Sequence, residues 1–285
     1  MNLHTRLQQE EILVAPGAVD ALSARLVESM GFESLYLSGA GVSYTLLGKP
    51  DVGLVNQMEM AQRIQSISQA VHIPIIVDGD NGHGNALNVM RTVQAFERAG
   101  ASAIQLEDQV FPKKCGHLAG KKVVSTDEMV GKIKAAVSAR SSKDFLIIAR
   151  TDAKSILGMQ EAMRRSHLYI EAGADVLFLE APNSREELAL IGQTFTGIPL
   201  MANMLEGGKT PLVTNLELQQ MGYKIVIYPS SLLQTYVFAG RKLLQHLKQT
   251  GSTEGMLEHM VLFQEINQLV KVDEIATLED QFVKT

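Results

Sequence analysis

Short apolar runs of buried-strand type recur along this chain, each closed by a polar or glycine residue and separated from the next by a longer, helix-like stretch. Eight can be placed: Ile12–Ala15, Ser34–Leu37, Ile73–Val77, Ala103–Leu106, Phe145–Ala149, Val176–Leu179, Pro199–Ala202 and Lys224–Ile227. Their hydrophobicity is continuous rather than alternating, as expected of strands covered on both faces in a parallel sheet under helices. Four are preceded by a helix-like segment ending in glycine, in Met30-Gly31-Phe32, Ala99-Gly100-Ala101, Ala172-Gly173-Ala174 and Met221-Gly222-Tyr223. Glycine there accepts a left-handed cap without steric cost. Helix, glycine cap and buried strand in repetition make a βα array, and eight strands in about 230 residues match a (β/α)8 barrel. A doubly wound sheet would concentrate its ligand contacts at one switch point, whereas nearly every run here ends in a polar or reactive group.

The 285 residues, 46% hydrophobic, exceed what the barrel needs, and no Ser/Pro linker or charge block interrupts the chain before its last forty residues. The expected organisation is a catalytic barrel over 1–230 and a C-terminal helical extension over 231–285 that serves oligomer packing. In that extension Met256, Leu257, Met260, Val261, Phe263, Ile266 and Leu269 form an apolar stripe on a second helix-like stretch after the break at Thr250-Gly251-Ser252. Residues 273–285 mix charge and apolar residues too irregularly to assign. A net charge of -5 gives no electrostatic footprint for nucleic acid or an anionic membrane surface. No apolar run approaches the length of a membrane span, and Met1–Gln9 lacks a signal-peptide core. One cysteine excludes an intrachain disulfide, so the expected setting is cytoplasmic.

The strand ends carry the chemistry: Ser38-Gly39, Asp78-Gly79-Asp80, Glu107-Asp108, Arg150-Thr151-Asp152, Glu180, Asn203 and Tyr228. In a barrel all of them converge on one mouth. Asp78, Asp80 and Glu107 are too many carboxylates to stay ionised together without a counter-charge. A divalent cation with oxygen ligands, Mg2+ or Mn2+, supplies one; ion pairing with Arg150 or with the Lys113-Lys114 pair is the other reading. Cys115 follows two lysines and precedes Gly116-His117 in a polar loop, an environment that favours thiolate and a reactive role. His83, in the loop Asp78–Asn85, has no evident partner and reads as a structural loop residue.

Several motifs, taken together, resemble the isocitrate lyase and phosphoenolpyruvate mutase superfamily: Tyr36-Leu37-Ser38-Gly39-Ala40-Gly41, Leu47-Gly48-Lys49-Pro50-Asp51, Asp78-Gly79-Asp80, Leu106-Glu107-Asp108-Gln109, Lys113-Lys114-Cys115-Gly116-His117 and Ala149-Arg150-Thr151-Asp152. The Lys-Lys-Cys-Gly-His segment looks like the signature of its carbon–carbon lyases, and Asn203–Pro211 looks more like the 2-alkylmalate lyase and oxaloacetate hydrolase branch than like methylisocitrate lyases. The resemblance implies a barrel whose C-terminal helix is swapped between subunits, a homotetramer built from two such dimers, and Mg2+ at the mouth. It implies that Asp78 contacts the metal, with Asp51, Asp80 and Glu107 assisting through water. Tyr36, Ser38, Gly39 and Ala40 are implied to hold a substrate carboxylate, with Lys114, Gly116 and His117 beside it. Arg150, Glu180 and Asn203 are implied to line the pocket, Arg150, Glu180 and Tyr36 with catalytic roles and Cys115 as the acid/base. The implied reaction is cleavage of the C2–C3 bond of a 2-hydroxy dicarboxylate, 2-alkylmalate or methylisocitrate, to a 2-keto acid and a carboxylate. Oxaloacetate hydrolysis or decarboxylation, or a phosphonomutase reaction of the carboxyvinyl-carboxyphosphonate type, are the alternatives.

Overall fold

The computed structural model describes residues 2–114, 116 and 120–283. All eight expected strands form: β1 Leu13–Pro16, β2 Leu35–Leu37, β3 Ile75–Asp78, β4 Ala103–Glu107, β5 Leu146–Thr151, β6 Val176–Leu179, β7 Met201–Asn203 and β8 Ile225–Tyr228. They pair in parallel as β2-β3-β4-β5-β6 and β1-β8-β7. Single parallel bridges, Gly17 to Tyr36 and Leu177 to Leu200, join the two sets at both seams and close the ring. A short helix, α1 (Leu3–Arg6), precedes β1, and the remaining helices up to residue 220 are α2 Ala21–Ser29, α3 Gly39–Val42, α4 Gln57–Ser68, α5 Ala86–Ala99, α6 Thr126–Ala139, α7 Lys154–Leu157, α8 Met159–Glu171, α9 Arg185–Thr194 and α10 Asn215–Gln220. A π-helical turn, Ser43–Leu47, follows α3. The four glycines expected at helix ends, Gly31, Gly100, Gly173 and Gly222, have φ of 80°, 102°, 103° and 94°, the left-handed region that a Cβ disfavours.

Alternation along the strands builds two cores. One face of each strand packs on the helices, where Val77, Ile104, Ile147, Leu177 and Val226 meet Ile64, Phe96 and Ile133. The other face fills the barrel: Leu13, Ala15, Ile76, Ala103, Leu146, Ile148, Val176, Phe178, Met201, Ile225 and Ile227 form one interior cluster, which Leu3 and Leu7 join from the N-terminal end. Because side chains repeat every second residue, the next inward positions past this apolar floor are Asp78 on β3, Gln105 and then Glu107 on β4, Arg150 on β5, Glu180 just after β6 and Asn203 on β7. Side-chain parity therefore places the polar ring above a packed apolar floor.

Beyond β8 come α11 (Ser231–Thr250), a 3-10 turn at Glu254–His259, α12 (Phe263–Leu269) and α13 (Val272–Phe282). None of these elements has a buried residue. The stripe expected on one helix over 256–269 is divided instead: Met256 and Leu257 sit in the 3-10 turn, Met260 is extended, and helix resumes at Phe263. The segment left unassigned from 273 onward is largely the helix α13, with Asp273 and Glu274 in its first turn, where carboxylates favour the dipole. Among the described residues no helix is long and apolar enough to cross a membrane.

Candidate active site

The polar ring opens into a cavity of about 1360 Å³ that extends from the barrel mouth to α2, α11 and α12. Tyr36, Ser38, Ala40, Asp51, Asp78 and Glu107 line it from one side of the barrel, and Lys114, Gly116, Arg150, Glu180 and Asn203 from the other. Gly39 and Asp80 stand directly behind Asp78: the Gly39 N–H donates to Asp78 Oδ2 at 3.1 Å and the Asp80 N–H to Asp78 Oδ1 at 3.1 Å. A Cβ at Gly39 would lie 3.1 Å from Asp80 Oδ1 and 3.2 Å from Asp78 Oδ2, so this turn needs glycine to let the carboxylates approach its backbone. Ser38 caps α3, its Oγ accepting from the Gly41 N–H at 3.4 Å. Cys115 and His117 lie outside the described residues.

The carboxylates divide by the kind of partner each has. Lys113 Nζ stands 2.5 Å from Asp51 Oδ1 and 2.6 Å from Asp80 Oδ1, so of the three clustered carboxylates Asp80 takes the lysine pairing weighed as the alternative to a metal, and Asp51 shares it. Burial pushes Asp80 up to about 7, against the pull of Lys113. Burial would lower the Lys113 pKa, but Asp80, Asp78 and Glu107 carry it well above the usual lysine value. Arg150 reaches Asp152 Oδ2 at 2.9 Å, Glu180 Oε2 at 3.0 Å and Glu107 Oε2 at 3.4 Å, and lies over the Phe178 ring at 5.2 Å. Its guanidinium is therefore aimed from three sides.

Asp78 is different. Its partners are Gln105 Nε2 at 3.1 Å and the backbone amides of Gly39 and Asp80, and among the described residues no lysine or arginine pairs with it. Neutral donors fix the carboxylate plane without cancelling its charge. Glu107 Oε1 is buried with no hydrogen-bond partner, and burial holds the Glu107 pKa well above the carboxylate range. Among the described residues no three His, Cys, Asp or Glu side chains are arranged to hold a metal alone. Mg2+ needs no such cage, because it keeps several waters and takes one or two carboxylates together with its substrate. Asp78, with neutral hydrogen-bond donors only, and an unsatisfied Glu107 oxygen fit that donor set.

Two residues outside the motifs, Gln105 and Lys121, and one inside them, Asp108, complete the site. Gln105, fully buried, also accepts from the Tyr36 hydroxyl at 2.9 Å through Oε1. Burial, then Asp78, raises the Tyr36 pKa well above its usual value. Lys121 Nζ lies 2.5 Å from Asp152 Oδ1 and donates to the Gly116 carbonyl. Asp108 accepts from the Asp152 N–H (2.8 Å), Thr151 Oγ1 (2.7 Å), Tyr169 Oη (2.9 Å) and Arg165 (3.1 Å), which anchors the end of β5. A polar residue in the middle of a buried run, Ala-Ile-Gln-Leu-Glu, was the available signal for Gln105. His83, for which the sequence offered no partner, is edge-on to Phe96 at 6.1 Å and 3.5 Å from Thr92 Oγ1.

Residues 3–248 match the phosphoenolpyruvate phosphomutase family. The chain is 47% identical to a 2,3-dimethylmalate lyase of Eubacterium barkeri over 276 residues, 97% of this chain and 95% of that one. It is 45% identical to a 2-methylisocitrate lyase of Aeropyrum pernix over 268 residues, 94% of this chain and 86% of that one. Among solved structures, an oxaloacetate acetylhydrolase in complex with 3,3-difluorooxalacetate is similar with a TM-score of 0.94 at 34% identity, covering 100% of this chain and 97% of the other. A phosphonopyruvate hydrolase in complex with oxalate and Mg2+ is similar with a TM-score of 0.90 at 30% identity, covering 99% and 98%. With this barrel, this mouth and these relatives, the chain belongs to the phosphoenolpyruvate mutase and isocitrate lyase superfamily and takes its place among the carbon–carbon lyases.

Proposed function

We propose that this enzyme cleaves the C2–C3 bond of a 2-hydroxy dicarboxylate of the 2-alkylmalate or 2-methylisocitrate type, giving a 2-keto acid and a carboxylate, with Mg2+ (or Mn2+) held at Asp78 and assisted by Asp51, Asp80 and Glu107. The observation that carries the reading is Asp78, a buried carboxylate whose three hydrogen-bond donors are all neutral amides, in a cavity that Arg150 also lines. The metal would supply Lewis-acid stabilisation of negative charge on the substrate oxygen.

The chain's own residues do the rest. Ser38, Gly39 and Ala40, at the N-terminal turn after β2, bind a substrate carboxylate. Arg150, aimed by Asp152, Glu180 and Glu107, fixes a positive charge against the oxygen that becomes anionic. Tyr36, Lys114, Gly116, His117 and Asn203 complete the pocket. When the hydroxyl proton passes to a water in the cavity, the C2–O bond becomes a carbonyl and the C2–C3 electron pair passes to C3 and its carboxylate. That carbon must then be protonated, and Cys115, outside the described residues, is the thiol that would donate the proton.

In this reading residues 1–230 are the catalytic barrel, and 231–285 pack between copies as a swapped element in a homotetramer. Apolar residues on α11 to α13 support it, Phe238, Phe263 and Phe282 being 62%, 79% and 73% exposed in the single chain. A monomer by light scattering would refute it.

The deciding experiment is a panel of 2,3-dimethylmalate, other 2-alkylmalates, malate, 2-methylisocitrate and oxaloacetate, assayed with and without EDTA for 2-keto acid and oxalate. Metal-dependent keto-acid release is expected. Oxalate from oxaloacetate alone would decide for the hydrolase that the fold similarity also favours, and metal-independent cleavage would overturn the Lewis-acid role.

A further inference from the structure

Gln105 stands opposite Asp78 in the β3–β4 ladder, so strand register itself sets the two side chains on one face. Its amide orientation follows from chemistry. An ionised carboxylate only accepts, so the Nε2 end must face Asp78 Oδ1 (3.1 Å), and the Oε1 end is left for Tyr36 (2.9 Å). Tyr36 has one hydroxyl proton, and it is spent on Oε1. Toward the cavity, which it lines, the phenol oxygen therefore offers lone pairs.

We propose that Gln105 is a positioning residue that sets two neighbours at once: it fixes the carboxylate plane of Asp78 with a neutral donor, and it turns the Tyr36 proton inward so that Tyr36 accepts from the substrate hydroxyl. The choice of amide matters. A lysine or arginine here would neutralise Asp78, as Lys113 does for Asp51 and Asp80. An apolar side chain would leave Asp78 Oδ1 with the Asp80 N–H alone and the tyrosine proton free to point into the pocket. Gln105 is fully buried and does not line the cavity, so it acts through these two residues without touching a substrate.

The inference rests on the metal and lyase reading above, and the test separates the two. Mn2+ affinity is measured by electron paramagnetic resonance on the wild type, Gln105→Met and Gln105→Asn, without substrate. The methionine keeps the volume and loses both hydrogen bonds; the asparagine amide stops one methylene short and serves if the first variant does not fold. Loss of such an outer partner weakens metal binding by roughly 10–100-fold, and at least a tenfold loss is expected. Cleavage by Gln105→Met is then compared in wild-type and Tyr36→Phe backgrounds. The fall in kcat should be smaller where the phenol is already gone, with KM changing less than kcat, a split that general loosening of the barrel would not give. Wild-type Mn2+ affinity in both variants would overturn the Asp78 half, and equal kcat losses in the two backgrounds the Tyr36 half. A wild type that binds no Mn2+ would overturn the metal reading and this one with it.

Discussion

Asp108→Asn is the substitution that best tests how the site is supported. The carboxylate is fully buried and serves four donors: the Asp152 N–H on Oδ1, and Thr151 Oγ1, Tyr169 Oη and Arg165 on Oδ2. Asparagine has the same shape but one acceptor oxygen. Its best orientation puts that oxygen where Oδ2 stood, keeping three bonds and setting its NH2 against the Asp152 N–H. Two buried donors, the Asp152 N–H and the new NH2, then face each other unsatisfied, together at about 2–4 kcal/mol. Arg165, 4% exposed, loses the charge of Asp108 yet keeps Glu161 Oε1 at 3.0 Å and the Val124 carbonyl at 2.9 Å, so its loss falls below the 3–5 kcal/mol of an abandoned buried ion. The sum is about 3–5 kcal/mol, or roughly 6–10 °C in Tm at about 2 °C per kcal/mol for a chain of this size. Differential scanning calorimetry of the two proteins at neutral pH measures it. Because the lost bond holds Asp152, which aims Arg150 at 2.9 Å, turnover measured well below both melting points should also fall. A variant melting within about 2 °C of wild type would refute the assignment of Asp108 as the anchor of β5.

Three further outcomes follow from named contacts. Gly39→Ala sets a Cβ 3.1–3.2 Å from the oxygens of Asp80 and Asp78, so Mn2+ affinity should drop about tenfold while Tm stays within about 2 °C, since metal-ligand distances tolerate only about 0.2 Å; unchanged Mn2+ binding would contradict it. Burial holds His83 down to about 4, so between pH 6.5 and 4 the unfolded chain binds the extra proton and stability falls as pH falls. His83→Gln should remove about 2 kcal/mol of that loss, read as the difference in urea stability between pH 7 and 4.5; the same pH slope in both proteins would count against it. Cys115→Ser should cut turnover by orders of magnitude with Mn2+ binding intact, and full activity would take the thiol out of the mechanism.

What could be read without coordinates was whatever depends on neighbours in the chain. Continuous apolar runs, the helix-ending glycines and the polar residue after each run are local facts, and all eight strands form within two residues of their expected starts. Composition and period could not reveal which charges meet. Lys113 reaches Asp51 sixty-two positions earlier as well as Asp80, whereas Asp78, two residues from Asp80, receives only neutral donors. The difference comes from side-chain parity and ladder register, which act between strands. The same holds for Gln105: as a polar residue inside an apolar run it looked like an interruption, and only its place opposite Asp78 gives it a role. The tail errs in the other direction. An apolar stripe over 256–269 suggested one helix, but the segment is extended at Met260 and resumes as helix at Phe263. Sequence alone determined the elements and the order of polar groups around the mouth, because propensity and burial pattern are local. Tertiary structure decided which carboxylate meets a lysine and which meets only neutral donors, because that depends on distances between strands that the chain connects only through its helices.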